Sequence, residues 1–550
     1  MPKWGIFECV NIRLLYRLSV LFLVAVTLSC WWDGGSSSST ITVQETRTFY
    51  AQTLWGTWEQ VSSDLRYKGS HCLVYVEKEE SSLIPDEVVT EIGQAFDTKA
   101  YPIVTQYFGE PYDVDGNKKV ILLLLDIQDG YTEGSSGYVA GYFDYTHMLS
   151  TSNSNRADMI FLDTYPGLRT ASGEIDPVAK EDLKLTLAHE FQHLVNYSEK
   201  IIRQQRNPLD TWINEGLSAA AEYLYLDNHV QWKIDYFNQM QYQGSPELPY
   251  NPLRDANLWG QYFISWGVWG DPLVNYSTVY LFFQWLRIQA GSSPTGAPDI
   301  YSRILQDSSS DYQAVVNAFN DYTASIPGGG SWTWKGIFQS WLLANLLNQP
   351  SGWYGYKHQL KDQEGKVKYL YPRFFVNLPS DEDKIYSRGS YPPISVAGSD
   401  AGKAFLIPGD AVYVKLSTNL SLTEVDPIAY GGVPLSDPAS LKLGTGTYQS
   451  GEILIAGNME GVFDGYVYST SLLLSPTGSE MVVEISSLTP PDTPETNWLP
   501  KVGGGSTQGG FNTPKGTAGR GGSRPHKRPL PMDTLLGDPA MGVSEKVLSR

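Results

Sequence analysis

Apolar and polar positions fall into three regimes along the chain. Between Gly69 and Thr164, short β-branched runs alternate with polar turns. HCLVYVEK (His71 to Lys78) and KKVILLLLDI (Lys118 to Ile127) have the make-up of strands, and the second is so uniformly apolar that both of its faces belong in an interior. Between them Pro85-Asp86-Glu87 opens a helix, with acids near the positive end of its dipole, that runs to the neighbourhood of Tyr101-Pro102. GYVAGYFD (Gly137 to Asp144) and DMIFLDT (Asp158 to Thr164) read as further strands.

From Asp176 to about Gln349 the period becomes helical. In the first helix, Asp176 to Lys200, Asp176 stands as cap and Pro177 in the first helical position. A second, Asn207 to Leu226, has Asp210 as its cap, and a third amphipathic stretch is NYSTVYLFFQWL (Asn275 to Leu286). From Lys366 to Ser487 short strands return between Gly, Pro, Ser and Asp turns, the spacing of a β-sandwich. Beyond Thr489 the Pro-, Gly- and Ser-rich sequence predicts disorder. The expected layout is therefore α+β: residues 41–350 as one domain (41–175 α/β, 176–350 helical), 366–488 as a β-sandwich and 489–550 as a tail.

Composition adds limits. At 550 residues the chain exceeds one hydrophobic core, and 41% hydrophobic with 18% charged residues is globular. The 16 Trp and 35 Tyr are read mainly as core. A net charge of −19 argues against nucleic acid or anionic lipid as partners, although from Lys515 onward seven Lys or Arg face three acids.

At the N-terminus Lys3, Arg13 and Arg17 precede the apolar run Leu18 to Leu28, which is too short to span a bilayer and is followed by Ser29-Cys30. Residues 1–29 read as an export signal. The site resembles a bacterial lipoprotein cleavage site, with Cys30 lipidated and 30–40 a flexible tether. The alternative is a plain secretory signal and a secreted product. Membrane contact is then by the lipid anchor alone, at the cell envelope. With Cys30 lipidated, Cys72 has no disulfide partner.

The candidate chemistry lies in AHEFQHLV (Ala188 to Val195). His189 and His193, four residues apart on one helix, project from the same face and can reach one ion, and Glu190 is turned toward the same cleft. The bland alternative is a helix with two solvated histidines. The next helix carries WINEGLSAAAE. Its Glu215, 22 residues after His193, can supply a third ligand, leaving a fourth position for water, and Glu222 can accept the ring N–H of a ligand histidine. DVDGN (Asp113 to Asn117) starts like a calcium loop, but Leu124 stands where such a loop needs its bidentate Glu. It reads as a turn, and calcium is not supported.

HEFQH followed by W-x-N-E-G-x-x-x-x-x-E is similar to the gluzincin metallopeptidases. From VILLLLDIQDGY through GYVAGYFD to AHEFQHLVNY the chain looks more narrowly like the bacterial hyicolysin-type peptidases, over roughly Gly69 to Gly291. The resemblance implies a zincin-like fold, one zinc ion on His189, His193 and Glu215, Glu190 as base, and proteins or peptides as substrates of a monomer; because GYVAGYFD offers no acid before Asp144 to hold a substrate's free amine, an endopeptidase is expected rather than an aminopeptidase. Glu222 matches the aminopeptidase-type pattern, since Ala219 stands where thermolysin-type enzymes keep an Asp. The resemblance also places a transition-state donor at Tyr276, with Tyr280 one turn on as its rival. GYVAGYFD is the candidate edge strand for substrate. A competing reading from another class is a zinc-binding surface adhesin without turnover, which binds host polymer or glycan.

Overall fold

The computed structural model describes residues 44–370 apart from 54–56, 134–136, 240–261, 265, 267–271, 292–298, 363 and 369, together with parts of 374–488 and residues 528–530. The chain divides into two units, Met1–Gln44 and Glu45–Arg550, and every helix and strand described belongs to the second. Cys30 and the signal region lie outside the described residues.

Six strands form the first sheet: β1 (Thr46–Gln52), β2 (Trp58–Lys68), β3 (Cys72–Glu77), β4 (Val120–Leu125), β6 (Gly141–Tyr142) and β7 (Met159–Asp163), in the order β1-β2-β3-β4-β7-β6. The centre, β3-β4-β7, is parallel and the flanks are antiparallel. Every residue of β4 and β7 is buried, as the unbroken apolar sequence of β4 and the MIFL run of β7 require, and β7 ends on the buried Asp163. Cys72 sits in this core, and burial pushes its thiol pKa up, so it is inert. GYVAGYFD is less regular than one strand. It makes β5 (Gly137–Val139) and β6, interrupted at Ala140, and ends at Asp144, whose side chain accepts the Thr146 N–H to start a 3₁₀ turn. Of 489–550, Arg528–Leu530 is described, running parallel to β5.

The helix expected to end near Tyr101-Pro102 continues to Phe108. α1 (Asp86–Ala95) passes through a π turn at Phe96–Ala100 into α2 (Tyr101–Phe108). The wider turn resets the hydrogen-bond ladder, so that Pro102 falls in the first turn of the new segment, where its missing N–H removes no bond. Phe96 and Tyr101 thereby reach Phe191, with ring centroids 4.8 and 5.7 Å away.

α3 (Pro177–Tyr197) crosses beneath the sheet. Asp176 caps it through the N–H groups of Val178 and Ala179, and its residues 187–196 are all buried. α4 (Thr211–Leu226) packs against it. Asp210 stands at its N-cap position without a side-chain capping bond, its backbone carbonyl accepting from Ile213 and Asn214 instead. α5 (Gln231–Gln239) and α6 (Pro272–Ala290) follow; α6 begins before Asn275 and continues past Leu286. Then come α7 (Ile300–Gln306), α8 (Tyr312–Thr323) and α9 (Trp334–Leu347).

The C-terminal strands Ala411–Lys415, Ile428–Pro434 and Glu452–Asn458 pair antiparallel, and one face leans on α9. Tyr413 Oη donates to Leu342 O, and Gln339 Nε2 to Tyr430 O. α9 is apolar nearly all round and so has a second face to bury against this sheet; much of 366–488, on which the expected sandwich falls, lies outside the described residues. One hydrophobic core continues from β3 through these strands.

Gly216 explains why α4 and α6 can approach. A Cβ there would stand 2.2 Å from the Phe283 ring. Alanine has the better helix propensity by about 1 kcal/mol, yet overpacking costs about 1–3 kcal/mol. Gly216→Ala is therefore expected to lower the melting temperature in thermal unfolding. A variant as stable as the parent would show that Phe283 yields freely.

Candidate metal centre

α3 and α4 lie side by side and present their polar residues to one cleft, whose lining includes Gly141, Thr186, His189, Glu190, Glu222, Trp232, Lys233 and Tyr276. From α3 come His189 and His193, with rings 4.8 Å apart, and from α4 comes Glu215. The three donor atoms lie within 4.8 Å of one another. Glu215 Oε2 is 3.2 Å from His189 Nε2 and 3.6 Å from His193 Nε2. Two ligands at about 2.1 Å from a tetrahedral ion stand about 3.4 Å apart, so the two spacings to Glu215 suit a set that could hold one divalent metal ion.

The surrounding hydrogen bonds agree. His189 Nδ1–H donates to Glu222 Oε1 at 2.7 Å, which leaves Nε2 with its lone pair toward the ion position. Lys233 Nζ donates to the same Oε1 at 2.7 Å, its ammonium also lying 5.3 Å from the Trp232 ring centroid and 5.6 Å from that of Tyr276. Ser218 Oγ is 3.1 Å from His193 Nδ1. Glu190, Glu215, Glu222 and Lys233 are all more than nine-tenths buried. Three carboxylates against one ammonium leave two negative charges in a low-dielectric site, the complement of a dication.

The titration directions express the same crowding. Burial raises the Glu190 pKa, although both histidines and the Phe143 N–H act to lower it. Burial alone would lower His189, but hydrogen bonds to Glu215 and Glu222 hold it above the ordinary imidazole value. Burial would raise Glu222, and Lys233 together with His189 pulls it below the ordinary carboxylate value.

Tyr276, from α6, is buried with its ring centroid 6.1 Å from that of His189, and it lines the cleft. Tyr280 does not share this position. Its hydroxyl accepts the Val230 N–H at 3.0 Å and meets His229 Nδ1 at 3.0 Å, tying α6 to the segment that launches α5. Gly141 brings the edge strand onto α3: a Cβ there would stand 2.7 Å from Phe161 O and 2.9 Å from Thr186 Cγ2, one turn before His189. Sequence reasoning missed Ser218 and Lys233. Ser218 lies one turn after Glu215 and was legible from that spacing. Lys233 lies on another helix, so no periodicity connects it to Glu222.

At DVDGN the structure shows the expected turn, with Asn117 N–H donating to Asp115 Oδ1 and Lys119 N–H to Asn117 Oδ1. It also brings Asp158 within 4.8 Å of Asp113 and Asp115. Asp158 Oδ1 accepts the Val114 N–H.

Among known proteins, 265 residues of this chain are 33% identical to the neutral metalloprotease ShpI of Staphylococcus hyicus; they make up 48% of this chain and 55% of that relative. The chain thus spans about half the length of the curated relative it matches. No protein-family model matches. A solved structure, Legionella pneumophila aminopeptidase A in complex with aspartic acid, aligns over 78% of this chain and 37% of its own at 11% identity and a TM-score of 0.27, too loose a superposition to bear on fold or function.

Burial, opposed by the Val114 N–H and reinforced by Asp115, pushes Asp158 up to about 7. A carboxyl raised above its unfolded value of about 4 contributes stability below pH 4 that is lost as pH rises through 7. Asp158→Asn, measured in chelator, should melt about 2 °C higher than the parent at pH 8 and lose less stability between pH 5 and pH 8. A variant that melts lower at pH 8, with calcium stabilising only the parent, would instead assign a cation to the three aspartates.

Proposed function

We propose that the chain is a zinc-dependent endopeptidase, and the observation that carries this reading is the convergence of His189, His193 and Glu215, with His189 and Glu190 lining a cleft. Two imidazoles and a carboxylate suit zinc among the divalent ions. The metalloprotease name of the Staphylococcus hyicus relative supports the same reading.

Bound there, zinc would supply Lewis acidity that acidifies a water and polarises the scissile carbonyl. The chain's own residues do the rest. Glu190 takes the proton of the attacking water and returns it to the leaving amine, its raised pKa bringing it nearer the working pH. Glu222 holds the His189 ring in orientation. The Tyr276 phenol is the donor assigned to the developing oxyanion. β6, an antiparallel edge strand beside the cleft, can pair with extended substrate, which suits internal peptide bonds of proteins. Export and a lipid on Cys30 complete the proposal. Among the described residues no helix is long and apolar enough to cross a membrane.

The full chain is expected to bind one equivalent of zinc and to digest casein in a chelator-sensitive way; metal-free, inactive protein would sink the reading. Glu190→Gln should keep the zinc and lose about 10²–10⁴-fold in kcat, whereas Tyr276→Phe should lose about 10²–10³-fold. An internally quenched peptide blocked at both ends separates endopeptidase from aminopeptidase, because only the former cleaves it.

A further inference from the structure

Behind His193 lies a closed chain of polar side chains with no role in the chemistry above. Ser218 Oγ faces three partners: Gln192 Oε1 at 2.5 Å, Asn214 O at 3.2 Å and His193 Nδ1 at 3.1 Å. Gln192 and Asn196 exchange a reciprocal amide pair, Nε2–H of Gln192 to Oδ1 of Asn196 at 2.6 Å and Nδ2–H of Asn196 to Oε1 of Gln192 at 3.1 Å. Asn196 Nδ2 donates its other proton to Asn214 Oδ1. Gln192, Asn196 and Ser218 are all buried.

Counting protons, with the three amides oriented as above, gives the directions. Ser218 has one hydroxyl proton, and two of its neighbours, Gln192 Oε1 and Asn214 O, can only accept. The proton goes to Gln192, the shorter contact, so at His193 the serine can only accept and Nδ1 must carry the hydrogen. The alternative, in which Gln192 turns its NH₂ to the serine and the serine donates to Nδ1, requires Asn196 to turn as well. Asn214 would have to turn too, and such a turn of all three amides would put the hydrogen on Nε2, where His193 could not ligate an ion. We infer that Ser218 and Gln192 are positioning residues that set the tautomer of His193, Gln192 acting only through the serine, so that Nε2 keeps its lone pair for the ion. The second variable residue of the His-Glu-x-x-His motif thus has a defined task in this chain. The inference rests on the assignment of His193 as a metal ligand.

The test uses the full chain labelled with ¹⁵N-histidine, metal-free at pH 8, where long-range proton–nitrogen spectra distinguish the two neutral tautomers. Wild type should show His193 protonated at Nδ1. Ser218→Ala, a mild change within a helix, should shift the ring toward the Nε2–H form and weaken zinc binding, read by competition with a chromophoric chelator, about 10- to 100-fold. Gln192→Met should weaken it by a smaller factor, and in the Ser218→Ala background should change nothing further. Gln192→Glu keeps the acceptor and should bind zinc more tightly than Gln192→Met. Wild-type His193 in the Nε2–H form, or unchanged zinc affinity in Ser218→Ala, would overturn the inference. Should Gln192→Met not fold, Ser218→Ala with the tautomer reading decides it. Wild type that binds no zinc would sink the metal reading instead, while the metal-free spectra still report on the serine and the glutamine.

Discussion

Three carboxylates and one ammonium buried in a single cleft set the terms for the rest of this molecule. Ionised groups are seldom found so deep unless each has a partner, and here Glu222 answers Lys233 and His189, Glu215 lies between two imidazoles and Glu190 accepts the Phe143 N–H. The arrangement holds only if α3 and α4 keep their mutual register, because a slip of one residue would carry Glu215 about 100° around its helix and away from both histidines. Much of the fold serves that register.

The supports are apolar and come from both sides. Phe191, within the histidine motif itself, turns away from the cleft and packs on Phe96 and Tyr101, so the same few residues carry the polar site and its attachment. The π turn that places those two rings is a local departure from regular helix made in favour of this contact. On the other side Gly216 lets α6 close on α4, which brings Tyr276 to the cleft and ties Tyr280 to the start of α5.

Much of this was legible in the sequence where one element carries the signal. The N-cap of α3, the unbroken apolar run of β4 and the four-residue spacing of the histidines all follow from periodicity and short-range chemistry. What was not legible depends on contacts between elements. The hairpin β1-β2 mixes polar and apolar positions because one face is exposed, and nothing in its sequence announced a six-stranded sheet. Pro102 reads as an end signal, and only the widened turn before it shows how the helix passes. Lys233 reaches Glu222 through the packing of α5, and the contact of the C-terminal strands with α9 joins elements far apart in the chain.

The two walls of the cleft are attached in different ways. β6 meets α3 through the bare backbone of Gly141, at a distance that admits no side chain, whereas α5 is joined across the site through the long, jointed side chain of Lys233. One wall is therefore set by a backbone contact and the other by side chains, so exchanging Trp232 alters the opening without touching the helix that holds the histidines.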